Sequence, residues 1–387
     1  MVNKILQSVS RFPVITAIVL FLSTTLFCWF IFKRYESTNI YYLDNIVYFL
    51  CAFLLIVGAA KYKEHKVRVG ILLVSASLLF VFGLFDFYLI TFSFETYGAG
   101  GINAITHRHW HNKYVSNNKY GFWERHLDKY ENSGDRKNQL VIEVVGDSFT
   151  WAQGLRGHTL RLTERLENRL NSVPGGKKVS VLNFGKAGAD TAQELEIVEK
   201  FVPKFHPDVV LLGYLSNDIL FKCSAQDYDK TGEVLSTITP TVNLIYWRLI
   251  GPATFEQVGL QYMKCIVDNY NNPEIFKKHV EQLDRLFNIV KENGAQPVFV
   301  LLPFPSMWAL YPKHTRDEIY GRIKSAVSSA GVPIIDLSYM EDKYSLSNFQ
   351  VSSFDPHPNA RMHEEFANAI YKFLRHDPRF VQLLKKQ

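Results

Sequence analysis

The sequence predicts a three-layer α/β domain, a five-stranded parallel sheet covered by helices on both faces, preceded by three transmembrane helices. Three observations carry this expectation. Beyond residue 140, short β-rich runs alternate with helical stretches, the order that builds a parallel sheet with both faces covered. Before residue 94, three apolar stretches each approach the ~20 residues that cross a bilayer as a helix. Three of the strand-like runs end in turn residues with chemical capacity, at the place where open α/β sheets hold their ligands.

The apolar stretches come first. Pro13 to Phe32 is nearly uncharged and longer than the ~7 to 15 residues of a signal-peptide core. Ile40 to Ala60, interrupted by Asp44, and Val69 to Phe92, with Asp86 in its final part, are the second and third spans. Both carboxylates fall towards span ends and are expected at the interface with water. Lys61, Lys63, Lys66 and Arg68 crowd the second connection, whereas the first has only Lys33 and Arg34 beside Glu36. The positive-inside rule then puts the second connection in the cytoplasm and everything after Phe94 outside. Residues 1–94 read as a membrane anchor, 95–138 as a juxtamembrane linker and 139–387 as the catalytic domain. Gly98 to Gly101 is a flexible break in the linker, and Glu131 to Asn138 a polar loop before the first strand.

Strands are expected at 140–145, 179–183, 208–213, 296–302 and 332–336, and helices at about 159–171, 190–203, 275–293, 315–330 and 360–374. The insertion 221–272, rich in Tyr, Thr and Asn, fits no regular pattern and is expected to form a substrate rim or lid. Pro303 to Trp308 is a second rim candidate. Trp151 and Trp308 have the faces to stack on a sugar ring, although core packing is the more ordinary use of either.

Composition excludes some classes. A net charge of +6, with 43 basic residues dispersed among 37 acidic ones, lacks the concentrated basic patch of a nucleic-acid binder. Of the four cysteines, Cys28 and Cys51 lie in spans; Cys223 and Cys265 either pair in an oxidising compartment or remain two buried thiols. No Gly-x-Ser-x-Gly elbow occurs, and Gly185 to Gly188 lacks the ending of a phosphate loop. His363-Glu364-Glu365 opens like a zincin helix, but Ala367 stands where the second histidine belongs. His107, His109 and His111 would share a face if extended, yet no acid or cysteine accompanies them, and a solvated juxtamembrane strand is expected. No metal and no cofactor is expected.

The chemistry centres on Gly146-Asp147-Ser148, directly after the first strand-like run, and Asp355-Pro356-His357-Pro358 near the C-terminus. A serine hydroxyl needs a base with a pKa near the working pH, and histidine is the side chain that meets this unaided. His357 is the candidate base, and Asp355 the group that orients it and stabilises its imidazolium.

These residues resemble the blocks of the SGNH hydrolases, the superfamily of GDSL esterases, lipases and carbohydrate O-acetylesterases. Gly146-Asp147-Ser148 is similar to the first block, with Phe149 where leucine is frequent; Asn183 to Gly188 resembles the second, and Asn217-Asp218 the third. Asp355 and His357 resemble the last, one residue shorter than the common Asp-x-x-His. The third block also departs from the pattern, since Leu215 stands where a glycine is usual and the glycine is Gly213. The resemblance implies a flavodoxin-like sheet, Ser148 as nucleophile, and an oxyanion hole of the Ser148 and Gly188 N–H groups with the Asn217 amide. The plain alternative is that Gly185 and Gly188 only make a turn and Asn217 only caps a helix. Asn118 to Trp123 resembles a stretch preceding the serine block in membrane-tethered relatives, and is expected to dock the lead-in on the domain.

The expected function is a membrane-anchored esterase acting on acyl or acetyl esters of an extracytoplasmic glycan or lipid. Two alternatives stay open: an O-acyltransferase, which would need a membrane partner to supply its donor, and a noncatalytic glycan-binding export or assembly protein. The expected partners are the acylated substrate and the lipid bilayer, with no nucleic acid.

Overall fold

The computed structural model describes residues 40–62, 64–92, 110–124, 127, 139–219, 223, 241, 251–352 and 355–384. The chain divides into two compact units: Met1–His109 with Asp229–Ala253, and Trp110–Tyr228 with Thr254–Gln387. The first expected span, 13–32, lies outside the described residues, as do His107 and His109.

In the first unit, helix α1 (Ile40–Lys61) and helix α2 (Lys66–Phe92) are joined by a turn in which His65 N–H donates to the Tyr62 carbonyl. They meet along small residues and leucines, Ala52, Leu55, Ala59, Leu72 and Ala76. Gly83 belongs to this seam, since a Cβ there would lie 3.1 Å from that of Tyr48. Small side chains let apolar helices approach closely where no hydrophobic gradient separates them. Phe53, Val57, Val74, Leu78 and Val81 face outwards and are exposed. Among the described residues, Lys66–Leu89 is long and apolar enough to cross a membrane.

Asp86 is wholly buried, and Thr241 donates to its Oδ1 from the backbone N–H at 2.9 Å and from the hydroxyl at 2.7 Å. A carboxylate among apolar helices needs donors that the helices cannot spare. Thr241, in the returning segment Asp229–Ala253, provides two. The side chain of Asp44 lies outside the described residues.

The second unit is built on five parallel strands in the order β2-β1-β3-β4-β5: β1 (Gln139–Gly146), β2 (Lys178–Gly185), β3 (Val209–Tyr214), β4 (Gln296–Leu301) and β5 (Ile334–Asp336). The order agrees with the flavodoxin-like expectation, and its switch point lies between β1 and β3. Central strands of a sheet covered on both faces must be apolar throughout rather than alternating. Val141, Ile142, Val144 and Val145 of β1 are accordingly all buried, each contributing ~1.5–3 kcal/mol relative to exposure. Helices α4 (Leu162–Asn171), α5 (Thr191–Phe205), α7 (Pro273–Glu292), α8 (Lys313–Ser329) and α9 (Ala360–His376) match the predicted helices to within a few residues. Their starts follow capping chemistry: Asp190 accepts from Gln193 N–H, Asn272 precedes Pro273 at the first position of its helix, and Asn359 accepts from Met362 N–H.

The insertion is the main correction. Its last third is not irregular but a helix, α6 (Gly251–Asn271), preceding α7 with only Asn272 between them. Met263, Ile266 and Tyr270 are fully buried, so burial of one face stabilises a stretch whose Tyr and Asn content argues against a helix. Cys223 and Cys265 form a disulfide across 42 residues of sequence. By loop-closure entropy such a bridge contributes about 4 kcal/mol.

The lead-in docks as expected. Phe122 packs edge-on against Phe184 and Phe201, and Trp123 against Trp151. Arg161 is wholly buried, donates to the Trp123 carbonyl and pairs with Glu164, while Glu124 accepts from Asn183 N–H at 2.7 Å. Residues 110–114 are helical rather than extended, and Trp110 is buried with its indole N–H on the Leu155 carbonyl at 2.7 Å, so the expected solvated strand is not found there. Trp151 and Trp308 are both core residues: the first sits against Trp110 and Trp123, the second against Tyr320.

Candidate active site

The site is set on a platform of three glycines. Gly146 pairs in register with Gly185 of β2 and Gly213 of β3, so all three lie at the same level at the C-terminal ends of neighbouring strands. The one-turn helix α3 (Ser148–Trp151) rests on them. A Cβ at Gly146 would meet Thr150 Oγ1 at 2.2 Å, one at Gly213 the same oxygen at 2.5 Å, and one at Gly185 the Trp151 nitrogen at 2.2 Å. Gly213 thus has a structural reason of its own, and Leu215, at the usual glycine position, is simply buried. Asp147 caps α3 by accepting from Phe149 N–H at 2.8 Å, and Ala152, at φ 72°, ends it.

The second half of the site comes from the segment before α9. Val351 N–H donates to the His357 carbonyl, Asn359 N–H to the Phe349 carbonyl, and Gln350 pairs with Pro358. These bonds hold Asp355-Pro356-His357 in a tight loop. His357 Nε2 lies 2.9 Å from Ser148 Oγ, and His357 Nδ1 lies 2.5 Å from Asp355 Oδ1, which also accepts from His357 N–H at 3.1 Å. Asp355 is fully buried and the imidazole nearly so, packed against Phe149 with ring centroids 5.4 Å apart. The spacing of one intervening residue therefore closes the hydrogen-bonded chain, because acid and imidazole face each other across one turn of backbone.

Gly188 and Asn217 flank this chain by topology. Gly188 stands three residues beyond the end of β2 and Asn217 three beyond the end of β3, on either side of the strand that delivers Ser148. Gly188 has φ 74°, a conformation that favours glycine, and open space where a side chain would project. Asn217 lies in a 3-10 turn, Ser216–Ile219. Its side chain lies beside the buried Tyr262 hydroxyl of α6, and its Oδ1 has no hydrogen-bond partner. Tyr262 is the contact that sequence reasoning missed, because its helix was not recognised.

Burial governs the electrostatics. It lifts the Asp147 carboxyl to about 6, against the pull of hydrogen bonds from the Phe149 and Ser148 N–H groups, the nearby His357 and the Ser148 hydroxyl at 3.3 Å. His363 is fully buried against Phe366 and also caps α4: its Nδ1 accepts from Leu162 N–H at 3.2 Å. Burial, with Arg165, Arg161 and His357 nearby, lowers its pKa to about 3, so it stays neutral. Among the described residues no three metal-binding groups converge.

Residues 144–365 match the GDSL-like Lipase/Acylhydrolase family. Similar solved structures include TesA, with 14% identity over 61% of this chain and 98% of that one at a TM-score of 0.40. A lipase/acylhydrolase from Enterococcus faecalis has 17% identity over 64% and 98% at 0.39. A catalytic mutant of the acetylxylan esterase Axe2 from Geobacillus stearothermophilus has 13% over 60% and 93% at 0.39. No curated protein matches in sequence. The family match spans more than half of the chain and runs from the strand that delivers Ser148 to the helix beyond His357. The chain therefore belongs to the GDSL-like lipase/acylhydrolases, hydrolases of ester bonds.

Proposed function

We propose that the protein is a membrane-anchored serine esterase whose substrate is an acyl or acetyl ester on an extracytoplasmic cell-envelope glycan or lipid. The observation that carries the chemistry is the hydrogen-bonded chain Ser148–His357–Asp355. Ser148 Oγ attacks the ester carbonyl while His357 Nε2 takes its proton, and Asp355 stabilises the imidazolium through Nδ1. Charge developing on the carbonyl oxygen is met by N–H groups of Gly188 and Ser148 and by the Asn217 amide, each worth ~3–4 kcal/mol in such a site. His357 then protonates the departing alcohol, and a water activated by the same base releases the acid from Ser148.

Two features support the placement outside the cytoplasm. The Cys223–Cys265 disulfide belongs to an oxidising compartment, and basic residues crowd the turn between α1 and α2. Labelling with a fluorophosphonate tests the chemistry: the intact protein should be labelled and Ser148→Ala should not, whereas equal labelling of both would overturn the reading.

One observation favours the acyltransferase as a second reading. The segment that follows the Asn217 turn returns to the unit of α1 and α2, a connection that a simple tether does not require. A transferase would keep the acyl-serine and pass it to a sugar hydroxyl. Loss of glycan acetylation in cells lacking the gene would select it; a rise would select the esterase.

A further inference from the structure

Just beyond the C-terminal ends of the neighbouring strands β2, β1 and β3 the second unit buries three carboxyl groups on three elements. Asp147 follows β1, Glu194 lies in the first turn of α5, and Asp218 lies in the turn that carries Asn217. Their exposures are 2%, 0% and 2%. Asp147 accepts from Phe149 N–H, and Asp218 Oδ2 accepts from Leu215 N–H at 2.7 Å. Both oxygens of Glu194 and Oδ1 of Asp218 have no hydrogen-bond partner, and neither have the buried hydroxyls of Thr191 and Ser216.

So many unpartnered atoms in one place require an explanation. The charges that act on Glu194 are Asp147 and Asp190, and those on Asp218 are Glu194, Asp147 and Asp190; none is basic. Three carboxylates in a dry cluster cannot all be ionised. Protonation relieves such a charge. Backbone N–H donors favour the ionised forms of Asp147 and Asp218, and Glu194 has no such donor. A first-turn position favours a carboxylate, but that effect is smaller than the cost of burying an unpaired charge.

We propose that Glu194 is a positioning residue, a carboxylic acid kept protonated in the working enzyme, whose O–H donates to the Asp147 carboxylate and ties the first turn of α5 to the Ser148 turn. The role rests on the serine-esterase reading; the protonation does not. Burial holds Glu194 and Asp218 well above the carboxylate range, in agreement with a shared proton. The other titratable groups facing the cluster are Asp190, Tyr214 of β3, Tyr262 and Tyr270 of α6, and His357. Burial keeps the three tyrosines neutral through the working range.

The test uses full-length protein in detergent micelles, labelled with 13C-glutamate and observed by infrared spectroscopy. At pH 7 a protonated-carboxyl band should be present and should lose a component in Glu194→Gln; a spectrum unchanged by that substitution overturns the protonated assignment. In kinetics on an aryl acetate, the native enzyme should decline at alkaline pH as Glu194 ionises, and Glu194→Gln should keep kcat within about threefold at pH 7 and lose that decline. Glu194→Ala should lower kcat about tenfold to a hundredfold with KM little changed, as expected of a misplaced nucleophile. If the alanine variant does not fold, the glutamine variant decides. A glutamine variant as impaired as alanine, or one that retains the native alkaline decline, overturns the positioning role. An infrared band without any Ser148 labelling would sink the esterase reading and leave the protonation standing.

Discussion

Asn217 shows how one amide serves two partners. The Tyr262 hydroxyl beside it is placed to fix the side chain through one N–H, which would leave the other for a substrate oxygen. Asn217→Ala should lower kcat about a hundredfold or more with KM similar, because the amide acts in the transition state. Tyr262→Phe should cost about fivefold in kcat, the rate equivalent of one ~1 kcal/mol hydrogen bond. A change confined to KM in either variant would return Asn217 to the role of a cap. Ser148, Asp355 and His357 were legible in the sequence because their chemistry is local to short motifs. Tyr262 was not, because its partner lies 45 residues earlier in the chain (262 − 217) and only the tertiary fold joins them. The imidazoles of His279 and His363 are buried. Burial depresses His279 and His363 to about 3, so the folded protein stays unprotonated at both while the unfolded chain takes up protons below about 6.5. Their neutral, buried state contributes stability that is complete above that pH and is lost as pH falls towards 3. Thermal unfolding should show Tm falling across this window, less steeply in His363→Gln; an equal slope would exclude His363 as a contributor.

At the scale of elements, the strand ends and α3 form one fitted joint. Gly213→Ala brings a methyl to 2.5 Å from Thr150 Oγ1, so the one-turn helix must lift and carry Ser148 with it. A shift of ~1 Å at the nucleophile is enough to cost about a hundredfold in rate. The double variant Gly213→Ala/Thr150→Ala should recover part of the loss, and no recovery would move the cause elsewhere. The parallel strands were legible because their continuous apolar runs allow few other readings. Helix α6 was missed for a physical reason: its buried face, Tyr262, Met263, Ile266, Val267 and Tyr270, follows helical spacing, but polar neighbours and a Gly-Pro start obscured it. That spacing was the available signal. The pairing of Cys223 with Cys265 could not be read from two cysteines alone, since spacing does not distinguish a bridge from two thiols.

For the whole molecule, the chain passes between its two units three times, near residues 109, 228 and 253. Sequence reading foresaw one such passage, the linker, because hydropathy reports spans but not which distant loop packs with them. A reporter that needs export should be active when fused after residue 138 and inactive at Glu64, where basic residues favour the cytoplasm. The opposite pattern would move the enzyme inside and remove envelope glycans from consideration. The disulfide gives this connectivity a further property. Ser148 and Asn217 lie before the excursion to the other unit, Asp355 and His357 lie after it, and Cys223 and Cys265 stand on either side of residues 229–253. A protease that nicks the excursion therefore leaves both halves of the active centre on one covalent skeleton. Nicked enzyme should run as a single fluorophosphonate-labelled band without reductant, separate into two with it, and keep its turnover until the bridge is reduced. Tolerance of a broken backbone would then follow from where one bridge is placed.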